Sequence, residues 1–84
     1  MIKFKLMAWG RKSGLMEITP LDADRNWLGG TSNSFDSKEK AIDAYNSAQL
    51  INLTGKDVPD GFKRGPQEKH ILSGYEVMIV EVIE

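Results

Sequence analysis

The chain has 84 residues, 40% of them hydrophobic and 27% charged, with a formal net charge of −1 and no cysteine. That length fits a single domain, residues 1–84, whose core buries little more than ~60% of the unfolded surface. Without cysteine there are no disulfide staples, thiolate metal sites or thiol nucleophiles, and the near-neutral charge predicts no strong long-range pull toward nucleic acid or anionic membrane.

The first stretch, "IKFKLMAW", alternates: Ile2, Phe4, Leu6 and Ala8 point one way, and Lys3, Lys5, Met7 and Trp9 the other. This is the period of a half-buried strand over about 2–9. "GRKSG" at 10–14 has the length and glycines of a hairpin loop. "LMEITPL" at 15–21 is the return strand, and Pro20, lacking an N–H, predicts that it ends there or lies at an edge. "WLGGTSNSF" at 27–35 is a candidate third strand weakened by Gly29 and Gly30.

"FDSKEKAIDAYNSAQLINLTG" carries helical periodicity. Asp36 is the expected N-cap, with Glu39 three residues on completing a capping box. Ala41, Ile42, Tyr45, Ala48 and Leu53 share a face with Gln49, and Gly55 suits a helix terminus, so a helix over about 37–53 follows. Residues 56–70, rich in Pro, Gly and charge, read as a long loop. In the final strand, about 74–83, Met78, Ile79 and Val80 are consecutive. Such a strand is covered on both faces, either inside the sheet or by a partner.

The elements assemble into an α+β, two-layer domain. Its antiparallel sheet has three to four strands, with one helix packed on one face. Residues 1–14 carry +4 and residues 71–84 carry −3. Opposite signs predict antiparallel pairing of the two end strands, with Lys3 and Lys5 facing Glu76, Glu81 or Glu84.

Several stretches invite a chemical reading. Asp22, Asp24 and Asn26 have calcium-loop spacing, but Trp27 stands where the turn glycine belongs and Asn33 where the bidentate glutamate belongs, so Asx turns are expected instead. His70 is the sole histidine, with no nucleophile motif beside it, and reads as a loop residue. No catalytic residue, metal site or cofactor is implied. Two protein-contact candidates remain. Met7 and Trp9 form an apolar patch on the face opposite the inferred core, either exposed for a partner or covered by a second layer or a dimer mate. Phe62, Lys63 and Arg64 form an aromatic-cation trio in the long loop, either a contact point or a loop whose aromatic tucks into the core. Arg11, Lys12, Lys63 and Arg64 make the alternative nucleic-acid or nucleotide surface, with Phe62 for stacking.

The "IKFKLMAW" strand, the "SFDSKEKAIDAY" lead into one helix and the small cysteine-free α+β size resemble phage-encoded accessory proteins, including anti-CRISPR and other anti-defence inhibitors. That resemblance implies a non-catalytic protein that blocks a host complex by occupying its surface. The expectation is therefore a cytoplasmic, non-membrane binding module with a protein partner, homo-oligomerisation being a further option.

Overall fold

Two glycines set the first hairpin. Strands β1 (Ile2–Gly10) and β2 (Gly14–Leu21) pair antiparallel, with Gly10 opposite Gly14. Residues 11–13 form the turn, and Gly14 takes a φ of 75°, which a side chain would oppose. The computed structural model describes residues 1–30, 32–55, 58 and 65–84. The remaining elements are α1 (Lys38–Ser47), β3 (Leu50–Thr54), β4 (Gln67–Glu68), a 3-10 turn (Lys69–Leu72) and β5 (Glu76–Ile83). The strands form one antiparallel sheet in the order β4-β3-β2-β1-β5.

The α+β class stands, but among the described residues the sheet has five strands rather than three or four, and the elements differ in several places. First, the helix is shorter than 37–53. It ends at Ser47, Ala48 is already extended, and Gln49 donates its N–H to the Leu21 carbonyl. From there Leu50–Thr54 runs as β3, burying Ile51 and Leu53 while Asn52 and Thr54 face outward. Leu53 alone fits the helical spacing, whereas Ile51 and Leu53, two residues apart, share a face only in a strand, and pairing with β2 makes them one. The N-cap is Ser37, whose Oγ accepts from Lys40 N, rather than Asp36. Asp36 instead pairs with Lys3 and, at 3.6 Å, with Lys40.

Second, the described residues of 27–35, namely 27–30 and 32–35, form no strand. Trp27 and Phe35 make only isolated bridges, to Leu21 and Phe4. Between them the chain turns back, with Asn33 N–H bonded to the Gly30 carbonyl and Asn33 at a φ of 53°. This segment is a wedge. The β1–β2 ladder stops at Met7 opposite Glu17, and beyond that point the wedge supplies the partners. Phe35 exchanges both backbone bonds with Phe4, Leu28 N–H donates to the Pro20 carbonyl, and Asn33 Nδ2 donates to the Ile18 carbonyl at 3.0 Å.

Third, Pro20 lies in an interior strand, buried and opposite Ile51. It is tolerated because alternate residues of a strand bond to opposite sides. The Pro20 carbonyl points away from β3, toward the wedge, so its missing N–H falls where the β1 ladder has already ended.

The two chain ends do pair antiparallel, β1 with β5, but the register puts Lys3 opposite Val82 and Lys5 opposite Val80. Glu81 faces Phe4 and Glu76 faces Trp9, so no Lys–Glu pair spans these strands directly. The lysines bind Asp36 and Glu17 instead. Among the described residues β5 is an edge strand, not an interior one. Helix α1 covers one sheet face. Ala41, Ala44, Tyr45 and Ala48 meet Leu6, Ala8, Met16, Ile18, Ile51 and Leu53, while Ile42 remains 47% exposed. Each fully buried Leu or Ile contributes about 1.5–3 kcal/mol. Lys69 closes the helix C-terminus, its Nζ donating to the Tyr45 and Asn46 carbonyls and lying 5.0 Å from the Tyr45 ring.

Candidate interaction surface

The face opposite α1 is built from the alternate residues of each strand. β1 contributes Lys3, Lys5, Met7 and Trp9, β2 contributes Leu15, Glu17 and Thr19, and β5 contributes Met78, Val80 and Val82. Met7 sits directly across from Met78, and Trp9 across from Leu15 on one side and Glu76 on the other. Trp9 is 45% and Leu15 48% exposed, whereas Met7 is half-buried. Met7 and Trp9 thus share this face with Leu15, Met78 and Val80.

Its surroundings are less basic than the sequence implies. Lys5 lies 3.4 Å from Glu17, and Lys3 is held by Asp36. Lys3 and then Lys40 draw the Asp36 carboxyl below its ordinary pKa, chiefly through the Lys3 hydrogen bond. Glu17 also accepts from Asn33 Nδ2 at 3.0 Å. Asn33 is buried and its Nδ2 reaches Thr19 Oγ1 at 2.9 Å as well, fastening the wedge under the far end of this face.

Arg11 and Lys12 stand exposed at the hairpin tip, beside the Trp9–Leu15 pair, and among the described residues no acid pairs with either. Behind them the Tyr75 ring packs on Gly10, with Tyr75 Oη 3.4 Å from Ser13 Oγ. Phe62, Lys63 and Arg64 lie outside the described residues. Of the segment 56–70, Gln67 and Glu68 form β4, and Lys69 and His70 open the 3-10 turn. His70 is exposed beside Tyr45, Lys69, Ser73 and Tyr75.

The Asp22 region forms the expected Asx turn. Asp22 Oδ1 accepts from Asp24 N and Asn26 N at 2.9 Å each, and these bonds, Asn26's first, lower the Asp22 pKa. Among the described residues no three His, Asp or Glu side chains converge as a metal site would require. No described helix is long and apolar enough to cross a membrane. No family model, curated protein or solved structure matches this chain.

One surface escaped the sequence. A groove of about 400 Å³ runs between α1 and β5, lined by Leu6, Lys38, Ile42, Tyr45, Val77 and Ile79 with Met78 at its rim. The sequence places Ile42 on the apolar face of the helix, whereas the structure leaves it 47% exposed, and only the position of β5 at the sheet edge brings it beside Val77 and Ile79.

Proposed function

We propose that this domain is a non-catalytic binding module that acts by protein–protein contact, through the sheet face carrying Met7, Trp9 and Leu15. The supporting observation is the cross-strand Trp9–Leu15 pair, each residue nearly half exposed on the face that α1 leaves open. A tryptophan standing on a rigid sheet offers large contact area with little side-chain entropy to lose, which is why such residues anchor interfaces. In the form implied by the resemblance to phage anti-defence proteins, the module inhibits a host or defence complex by covering one of its surfaces.

The test is affinity capture from the native host with the parent chain and with Trp9→Ala, each verified as folded by circular dichroism. Loss of an anchor of this kind costs about 2 kcal/mol or more, roughly thirtyfold in affinity. A specific protein recovered with the parent and lost with Trp9→Ala is the expected result. Recovery of the same proteins by both refutes this face as the contact.

A second reading, nucleic-acid or nucleotide binding, draws on Arg11 and Lys12 beside Trp9, which have no ion-pair partner among the described residues, with Lys63 and Arg64 as its other cations. It requires affinity that falls steeply with salt, and an Arg11→Ala, Lys12→Ala double variant that binds less.

A further inference from the structure

The outer edge of β5 has a definite hydrogen-bonding pattern. Met1 N donates to the Glu84 carbonyl and Glu84 N to the Met1 carbonyl, both at 2.8 Å. Met1 and Glu84 are thus a mutually bonded antiparallel pair, and such pairs recur every second residue. With the observed register, Val82, Val80, Met78 and Glu76 turn their backbone groups inward to β1. Val77, Ile79, Glu81 and Ile83 turn theirs outward, where no described strand lies. The wedge supports this parity: Phe4 N–H and C=O both point to Phe35, away from β5.

The same outward-bonding residues face α1 with their side chains. Val77 and Ile79 form one wall of the groove, with Ile42 and Tyr45 on the other. A strand added to β5 would thus gain backbone bonds and drop alternate side chains into an apolar channel. Its intervening side chains would extend the Met78–Val80 part of the open face. Edge strands this long are usually blunted by charged side chains, proline or a bulge; β5 has no proline and no bulge, and its charges are Glu76 and Glu81.

Charge selects the occupant. Residues 76–84 carry Glu76, Glu81 and Glu84 and no base, and among the described residues Glu76 and Glu81 have no ion-pair partner, while a single cation, Lys38, lines the groove from the α1 side. A second copy of this chain would bring three more carboxylates to the same edge. A basic segment would be complementary.

Resting on the reading of this domain as a protein-binding module, we infer that β5 and the α1 groove accept an extended segment of a partner protein, by antiparallel strand addition. Its pattern is basic-x-apolar-x-apolar. The basic residue lies opposite Glu81, and the two apolar residues lie opposite Ile79 and Val77 and enter the groove.

The probe is an end-capped Lys-Thr-Leu-Thr-Val peptide titrated into the intact, isotope-labelled chain and followed by amide NMR. The amides of Val77, Ile79 and Glu81 are expected to shift and become protected. N-methylation of the peptide Leu, whose N–H faces Ile79, should abolish binding, while N-methylation of the first Thr, whose N–H faces solvent, should not. Replacing the peptide Lys with Glu should weaken binding roughly fivefold, and Glu81→Lys should reverse that preference. Equal binding of both N-methylated peptides, or of the Lys and Glu peptides, overturns the inference. So does a two-chain sedimentation mass with these amides already protected, which would assign the edge to a second copy. Trp9→Ala leaves the peptide affinity unchanged. A failed peptide with intact Trp9-dependent capture removes this inference alone; failure of both removes the binding reading as well.

Discussion

Asn33 is where the wedge can be tested most directly. Its Nδ2 reaches Glu17 Oε1, the Ile18 carbonyl and Thr19 Oγ1 at 3.0, 3.0 and 2.9 Å, and the residue is buried at a φ of 53°. Asn33→Ala removes the donor from a buried carbonyl that β1 no longer reaches, at a cost of about 1–3 kcal/mol. It also puts a Cβ-bearing residue without a local hydrogen bond into the left-handed region, at about 1–2 kcal/mol. The two together predict a loss of about 2–5 kcal/mol, enough to move a urea midpoint by about 1 M or more. Asn33→Asp is the sharper comparison. The side chain keeps its shape but sets a carboxylate against the Glu17 carboxylate and the Ile18 carbonyl. Burial and Glu17 raise its pKa, so its penalty is present above that raised value and shrinks as pH falls through it. Urea unfolding of both variants at about pH 8 and about pH 5 should show the aspartate variant recovering toward the acid side relative to alanine. An alanine variant within about 0.5 kcal/mol of the parent, or an aspartate variant with no such trend, would refute the account of how the β1–β2 gap is filled.

Two further outcomes follow from the hairpin and from the surface carboxylates. A Cβ on Gly10 would lie 2.5 Å from Tyr75 Cε1, so Gly10→Ala should cost about 1–3 kcal/mol by thermal unfolding. It should cost much less in a Tyr75→Leu background, where the ring is gone. Asp22 and Asp36 both have folded pKa values below the ordinary aspartate range. Their stabilisation is complete above about pH 3.9 and disappears as pH falls through the lowered folded values. Acid titration should therefore show a loss of stability in that window that is smaller in Asp36→Asn.

What could be read in the sequence was local. Alternation in "IKFKLMAW" and the glycines around "RKS" specify a hairpin whatever surrounds it, and the start of α1 is off by one residue, with Ser37 as the cap and Asp36 paired with Lys3. β3 was hidden because Leu53 in "LINLT" continues the apolar spacing of the helix. The open edge of β2 turns the segment into a strand, and no local pattern records that. Consecutive Met78, Ile79 and Val80 announce two apolar faces, but not whether another strand lies beyond them. Likewise Trp9 could be placed on the face away from the core from alternation alone, while its neighbour Leu15 required the register of the hairpin. The groove needed both β5 at the edge and Ile42 above it, a coincidence of elements thirty and more residues apart.

The Met1–Glu84 bond gives the domain a practical asymmetry. Anything fused to either end leaves from one corner, at the Glu84 end of the outer strand. The hairpin tip with Arg11 and Lys12 lies at the other end of β1, about 25–30 Å away for a nine-residue strand. A label or surface tether attached at the ends would crowd the outer strand and leave the Trp9 corner free. One attached at the hairpin tip would do the reverse. Immobilisation geometry alone can therefore separate the two surfaces before any residue is changed.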